Sequence, residues 1–420
     1  MAEIGGTSAA EIWGMPAAEP SAPLGSVKVV DWTDPAGAYA GRLLADLGAD
    51  VVRIEPAGAA EPWPQERIPG TVVSALERFV NLNKRSVRVH LDTAAGRDLL
   101  AALIERADIV ITSGDGPRRW RQAGRPLRRS RDGTHVHVSA FGEHGAGAAL
   151  LADDLIALAA GGLLSLGGYP DGPPVAVYGT QAYLAGGINA AVAALLGLLA
   201  ARGGQAGGAD LDVSIQAILA GALEDATAEY DLTGVVRRRA GDTPREAGTG
   251  VFACADGWIA MVAGKLGTAA AWDALVAWLC ERGVPGAEAL KAPKWATLEH
   301  RRRPESIATF QRLMEAAAAG YTRQQLYHEL QRRRIAAAPV NSVADLLADR
   351  QLAVRGYFRQ VHDTALDRDV TYSGPPYRLP DHSLPGWSSA PPPGGLAGEE
   401  ARGWLGAAPG AAGETGERAR

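Results

Sequence analysis

A strand–helix–strand succession near the start of the chain restricts the possible folds more than any other feature. Val27–Trp32 and Asp50–Glu55 are short β-branched runs, typical of buried strands. The segment between them, Arg42–Leu47, is predicted to form a helix that ends at Gly48. Parallel strands need such a crossover helix, so the sequence predicts the beginning of a parallel α/β sheet.

The same alternation continues further along the chain. Strands are predicted at Ser86–Leu91, Asp108–Thr112 and His135–Gly142, with a helix at Arg97–Arg106. This succession favours a Rossmann-like sheet. The first turn lacks the GxGxxG spacing that cradles a dinucleotide, because only Gly37 and Gly41 are present. NAD is therefore not expected as a cofactor.

Composition excludes several classes of protein. The 420 residues predict two domains, and the net charge of −5 argues against a nucleic-acid or membrane-surface protein. Two cysteines, Cys254 and Cys280, lack a CxxC pattern, which suits a reducing cytoplasm and disfavours a disulfide framework or a zinc site. The N-terminus does not resemble a signal peptide, and Ala185–Ala201 is predicted to be a buried helix rather than a membrane span.

The stretch from Asp153 to Gly187 is the most unusual part of the sequence. Asp153 and Asp154 precede an apolar segment, a Gly/Pro-rich turn follows, and a polar patch ends at Tyr183. Glycines here predict close backbone packing. Asp153 is either a helix N-cap or a functional carboxylate, and Tyr183 is either a packed core residue or a functional phenol.

A basic segment and a histidine pair are two further candidates. Arg118–Arg131 contains Trp120 and either binds phosphates, with the indole stacking on a purine, or forms a solvated basic face. His135 and His137 lie on one face of a predicted strand, but no further ligand is near enough in sequence to indicate a metal.

Taken together, the ordered sequence pieces resemble family III CoA-transferases, the group that includes α-methylacyl-CoA racemase and the formyl-CoA and carnitine CoA-transferases. The resemblance covers roughly residues 24–405 and rests on segments that are individually weak. They are Arg42–Glu55, Asn83–Val87, Ala107–Ile111, Ser139–Gly142, Leu163–Gly168, Asp212–Ser214, Ala255–Trp258, Pro339–Asn341 and Ser373–Pro376.

The resemblance implies an α/β fold with a Rossmann-like large domain from both chain ends and a smaller α+β middle domain. It also implies an interlocked homodimer that binds a coenzyme A thioester as substrate, in the cytoplasm. The expected division is an arm at 1–23, the large domain at 24–225, a linker at 226–249, the small domain at 250–335, a return at 336–408 and a tail at 409–420.

The sequence departs from the family at the catalytic position. The resemblance implies an aspartate between Pro174 and Gly187 that attacks the thioester, forming a mixed anhydride and then an aspartyl-CoA thioester. Tyr183 stands there instead. A phenol has a reference pKa of about 10 and is poorly suited to that relay. The histidine that works with the aspartate in the racemase is replaced by Asp153.

The CoA contacts implied by the family are also altered. A glutamine and an arginine for the adenine end correspond to Pro35 or Ala36 and to Pro56. The candidate CoA-binding residues that remain are six in number. They are Arg42, Lys84, Arg85, Val89, Ser113 and Arg121.

Three functions follow as hypotheses. In the first, Asp153 or Asp154 is a base and Tyr183 an acid or oxyanion donor in proton transfer, isomerisation or elimination on a thioester. In the second, the chain remains a CoA-transferase that uses another carboxylate. In the third, it is a catalytically silent or repurposed binding subunit beside a homologous chain.

Overall fold

The structure, a computed structural model, describes residues 22–57, 63, 67–71, 73–127, 133–203, 208–263, 269–379, 384 and 390. All but two residues of the predicted arm, and the whole predicted tail, lie outside this part. The chain folds into two compact units. The first contains the chain up to Leu163, Val177–Asp225 and the chain from Gly356; the second contains Leu164–Ala176 and Ala226–Arg355. The domain boundaries expected from the sequence stay predictions.

A six-stranded parallel sheet forms the centre of the first unit. Its strands are β1 (Lys28–Trp32), β2 (Asp50–Pro56), β3 (Arg85–Val89), β4 (Ile109–Ser113), β5 (Thr134–Ser139) and β6 (Ala209–Ser214). Their order is β3-β2-β1-β4-β5-β6, and every neighbouring pair is parallel. The predicted Rossmann-like α/β class is confirmed. The strands are almost continuously apolar because helices cover a parallel sheet on its faces.

The helices of this unit follow the predicted alternation. They are α1 (Ala38–Asp46), α2 (Ala75–Val80), α3 (Ala94–Arg106), α4 (Asp115–Gln122), α5 (Asp154–Ala160), α6 (Gln181–Arg202) and α7 (Ile215–Gly221). Helix α3 begins three residues before the predicted Arg97, because the Thr93 side chain caps it by accepting a hydrogen bond from the Gly96 amide at 3.1 Å. Helix α1 begins one turn earlier than predicted, at Ala38, because residues from Asp34 onward already turn.

The long apolar helix α6 packs tightly on α1. A Cβ added to Gly187 would lie 2.7 Å from the Cβ of Tyr39, so this crossing requires glycine. The prediction of close packing in this stretch is thus confirmed. By length and hydropathy α6 also meets the criteria for a membrane span, but 39% of its apolar window is buried within the protein.

The chain end adds an antiparallel hairpin to the first unit. Strands β10 (Phe358–Asp363) and β11 (Arg368–Ser373) pair, and Asp363 accepts hydrogen bonds from the Arg78 guanidinium at 2.8 and 3.0 Å. Both side chains are almost fully buried. The two distant ends of the sequence therefore share one unit.

The second unit has its own core. Its sheet is antiparallel and consists of β7 (Thr249–Cys254), β8 (Gly257–Val262) and β9 (Ala336–Pro339), with a tight turn at Ala255 and Asp256 between β7 and β8. The longest helices packed around it are α9 (Ala269–Glu281), α11 (Pro304–Ala318) and α12 (Arg323–Arg332); four shorter helices complete it. The shorter ones are α8 (Ala226–Thr233), α10 (Leu298–Arg301), α13 (Val343–Leu347) and α14 (Arg350–Arg355). Trp278, Phe252 and Phe310 are fully buried between sheet and helices.

Candidate active site

The strand order of the sheet reverses between β1 and β4. In open parallel sheets, ligands bind in the crevice at the carboxyl ends of the strands beside such a reversal. Asp34 follows β1 at this point, and Ser113 ends β4. Functional side chains of this unit are therefore expected in the crevice.

Tyr183 lies in the first turn of α6 and is half-buried. Its backbone amide donates to Asp154 Oδ1 at 2.9 Å. Burial raises the pKa of the Tyr183 phenol above its usual value of 10, and the carboxylates of Asp34, Asp153 and Asp154 raise it further. The phenol is thus held protonated at neutral pH and is a hydrogen-bond donor, not a nucleophile.

The two neighbouring carboxylates have structural partners. Asp153 is the N-cap of α5, since its Oδ1 accepts from the Ile156 amide at 3.0 Å. Burial raises the pKa of Asp154, although hydrogen bonds from the amides of Tyr183 and Ala182 oppose the shift. The Tyr183 amide thus contacts Asp154, and both carboxylates act on the phenol electrostatically. Their catalytic roles stay predictions.

Asp34 joins this group, and the sequence analysis did not identify it. Its Oδ1 accepts from the Ser113 hydroxyl at 2.5 Å and from the Ala36 amide at 3.0 Å. Its own amide donates back to the Ser113 oxygen at 2.8 Å. Burial raises the pKa of the Asp34 carboxyl. The available signal was its position directly after the first strand of a Rossmann-like sheet.

Glycine keeps the space beside Asp34 open. Gly114 has a φ of +76°, and a Cβ there would lie 2.9 Å from Asp34 Oδ2. The hydrogen bonds from the Ser113 hydroxyl and the Ala36 amide both go to Oδ1. Asp34 is therefore anchored through Oδ1, and the residue beside Oδ2 carries no side chain.

Of the predicted CoA-binding residues, Lys84 and Arg42 lie in buried networks. The Lys84 ammonium donates to Asp31 Oδ2, the Ala38 carbonyl and Asn81 Oδ1 at 2.6–2.9 Å. Burial lowers its pKa to about 8. Arg42 donates to the carbonyls of Phe79 and Ser373. These contacts join α1 to α2 and to the C-terminal hairpin.

Arg85 and Val89 belong to the edge strand β3. The Arg85 guanidinium forms a bidentate ion pair with Asp50, with contacts of 2.6 Å, and is partly exposed. Val89 is 1% exposed and packs in the core. Ser113 is the one member of the six that hydrogen-bonds with the carboxyl at the crevice.

The structure disagrees with one of the two functions predicted for the basic segment. Trp120 is 6% exposed, packs edge-on against Trp32 and donates to the Pro126 carbonyl at 3.2 Å. Stacking of this indole on a purine was therefore a wrong expectation, because apolar packing has buried the ring. Arg121 pairs with Glu143 and stays about one-third exposed. Residues 128–131 of the segment lie outside the described part.

The histidine pair shares one hydroxyl. Thr112 Oγ1 lies 2.9 Å from both His135 Nε2 and His137 Nδ1, and His135 Nδ1 lies 3.1 Å from Asp210 Oδ1. Within the residues that the structure describes, no group of three or more His, Cys, Asp or Glu side chains is placed to hold a metal ion.

Comparison with known proteins identifies the family. The chain matches CoA-transferase family III over residues 24–395. It is 34% identical to succinyl-CoA:(R)-benzylsuccinate CoA-transferase subunit BbsE of Thauera aromatica, with 84% of this chain and 87% of that protein covered. It is 29% identical to succinyl-CoA–D-citramalate CoA-transferase of Chloroflexus aurantiacus, with 84% and 87% covered.

A solved structure supports the fold. The CAIB/BAIF family protein of Brucella suis superposes with a TM-score of 0.74 at 24% identity, covering 92% of this chain and all of the other. The family match, the identity to the Thauera subunit and the α/β architecture agree with the resemblance noted in the sequence. The chain belongs to CoA-transferase family III.

Proposed function

We propose that this enzyme moves CoA from an acyl-CoA to a free carboxylic acid. The observation that supports this most directly is the full-length similarity to relatives whose names describe CoA transfer from succinyl-CoA to another acid. The donor and acceptor proposed here are accordingly dicarboxylic acids or their derivatives, with CoA as part of the substrate.

Tyr183 supplies hydrogen bonding rather than covalent chemistry in this proposal. A protonated phenol beside a thioester donates to the carbonyl oxygen, where negative charge develops during attack. The covalent carrier is then a carboxylate elsewhere, because the acyl group and CoA must both pass through one.

A second candidate is proton transfer, isomerisation or elimination on a thioester. The observation that favours it is the set of carboxylates, Asp153 and Asp154, next to a phenol that remains protonated. One carboxylate would remove a proton beside the thioester carbonyl while Tyr183 stabilises the enolate. The capping role of Asp153 and the backbone contacts of Asp154 make this the weaker candidate.

The partners proposed are an acyl-CoA and a second protein chain. A homodimer is the default, and a heteromer with a homologue is the alternative, motivated by the Thauera relative, which is named as a subunit. In a heteromer the homologue would supply the carrier carboxylate and this chain would be catalytically silent. A cytoplasmic location, without NAD, metal, nucleic acid or membrane, completes the proposal.

The experiment is a CoA-exchange assay by mass spectrometry. Purified protein is mixed with succinyl-CoA and a panel of free acids, alone and after co-expression with a homologous chain. Formation of a new acyl-CoA together with free succinate supports transfer. Exchange of an α-proton of the acyl-CoA for deuterium from the solvent, without CoA exchange, would instead support the second candidate.

A further inference from the structure

The transferase chemistry needs a carboxylate that this chain lacks at position 183. Two of the three carboxylates around Tyr183 already have structural roles. Asp153 is exposed and caps α5. Asp154 is bound by backbone amides at the beginning of α6. Asp34 is the third, and it is half-buried at the strand-order reversal.

The packing of α6 on α1 directs Tyr183 toward Asp34. Gly187 contacts Tyr39, and a Cβ on Gly186 would lie 3.5 Å from the Ala36 carbonyl oxygen. Residues three and four positions apart share a helix face. Tyr183 is thus on the face that meets the beginning of α1, where Asp34 forms the turn.

We propose that Asp34 is the carboxylate that carries CoA in this chain, with Oδ2 as the attacking oxygen and Tyr183 as the hydrogen-bond donor to the thioester carbonyl. The proposal rests on the CoA-transferase function proposed above. Ser113 and the Ala36 amide hold Oδ1, and Gly114 presents no side chain to Oδ2, where a Cβ would lie only 2.9 Å away. A nucleophile fixed through one oxygen attacks along one direction, which lowers the entropic cost of reaction.

The first half-reaction balances without any other reactant. Asp34 Oδ2 forms a bond to the acyl carbonyl carbon, the C–S bond breaks, and CoA leaves as a thiolate. The thiolate then attacks Asp34 Cγ. The bond between Cγ and the bridging oxygen breaks, and the donor acid leaves as a carboxylate, which makes Asp34 a CoA thioester.

The second half-reaction reverses these steps with the acceptor acid. The acceptor carboxylate attacks Asp34 Cγ and releases the CoA thiolate, which then attacks the acceptor carbonyl carbon. The Asp34 carboxylate is regenerated. An enclosed position favours Asp34 over the exposed Asp153, because an anhydride must be kept from water.

The burial of the Asp34 carboxyl also supports its assignment as the nucleophile. It raises the pKa of the Asp34 carboxyl, and a more basic carboxylate is the better nucleophile when ionised. The three hydrogen bonds with Ser113 and Ala36 keep the group oriented despite this shift.

The test is trapping of the covalent intermediate in wild type and Asp34→Asn. Asparagine keeps the oxygen that accepts from Ala36, so the turn is retained. Asp115→Asn is the matched control, since Asp115 is a nearby exposed carboxylate paired with Arg118. Each protein, in the assembly that exchanges CoA, is incubated with succinyl-CoA and then borohydride. Reduction of an aspartyl thioester leaves homoserine, which peptide mass spectrometry locates.

We expect homoserine at position 34 in wild type and in Asp115→Asn, and none in Asp34→Asn. Exchange should fall by roughly 10³-fold or more in Asp34→Asn. Homoserine at another residue or on a partner chain, or full exchange by Asp34→Asn, would overturn the role of Asp34 and leave the transferase function standing. Absence of exchange in wild type under all conditions would overturn both proposals.

Discussion

Buried His137 should make the folding stability of this protein depend on pH between about 4 and 6.5. The ring is 6% exposed, and its Nδ1 lies 2.9 Å from Thr112 Oγ1. His135 Nε2 lies 2.9 Å from the same hydroxyl oxygen, and its Nδ1 lies 3.1 Å from Asp210 Oδ1. His137 is therefore enclosed by polar groups of β4 and β5 and is buried.

Burial, together with the neighbouring Arg121, His135 and Arg118, lowers the pKa of His137 from 6.5 to about 4. Glu143 lies 3.8 Å from His137 Nε2 and pairs with Arg121. Because the unfolded chain binds the proton more tightly, stability is complete above pH 6.5 and falls as the pH drops toward 4. The interval of 2.5 pKa units, at roughly 1.4 kcal/mol each, amounts to about 3 kcal/mol.

The assay is urea denaturation followed by circular dichroism at intervals from pH 4 to 7.5. His137→Asn keeps a donor toward Thr112 but does not titrate, so its free energy of unfolding should change by about 3 kcal/mol less over this range than that of wild type. His362→Asn is the control, because His362 is 57% exposed. A His137→Asn profile parallel to that of wild type would refute the reasoning.

Three further predictions concern the site and its support. Tyr183→Phe should lower turnover by roughly 10²–10³-fold in the CoA-exchange assay with little change in KM, as expected for a donor used in the transition state; full turnover would remove Tyr183 from the mechanism. Asp31→Asn should lower the free energy of unfolding by about 3–5 kcal/mol, since it leaves the buried Lys84 ammonium without its counter-charge; a loss below 1 kcal/mol in urea denaturation would contradict this. Gly187→Ala should cost about 1–3 kcal/mol, because the new methyl group would lie 2.7 Å from the Tyr39 Cβ; an unchanged thermal midpoint would contradict the close packing.

Much of the first unit was predictable because strands and crossover helices leave local patterns. The strands β1, β2 and β4 and the helix α3 lie within a few residues of their predicted positions. Helix α1 was predicted too short because its first turn is stabilised by contacts around Asp34, which no periodicity reveals.

The candidate site was predictable only in part. Asp153, Asp154 and Tyr183 stand close in one stretch, so a family pattern could identify them. Asp34 meets Ser113 across 79 positions of sequence, through strand pairing that composition does not encode. Trp120 was a candidate for ligand stacking because an indole between arginines looks the same in sequence whether it is buried or exposed.

The sequence by itself determined the α/β class, the family and the absence of a carboxylate at position 183. Each depends on residue order along the chain, which periodicity and motif spacing record directly. Only the tertiary structure decided which charges are paired within the fold. Lys84, Arg42 and Arg78 are buried with partners from distant segments, whereas Asp34 is held through Oδ1 by Ser113 at the strand-order reversal. The reason is that an ion's partners and its burial are properties of the packed chain, and these set both its pKa and its chemistry.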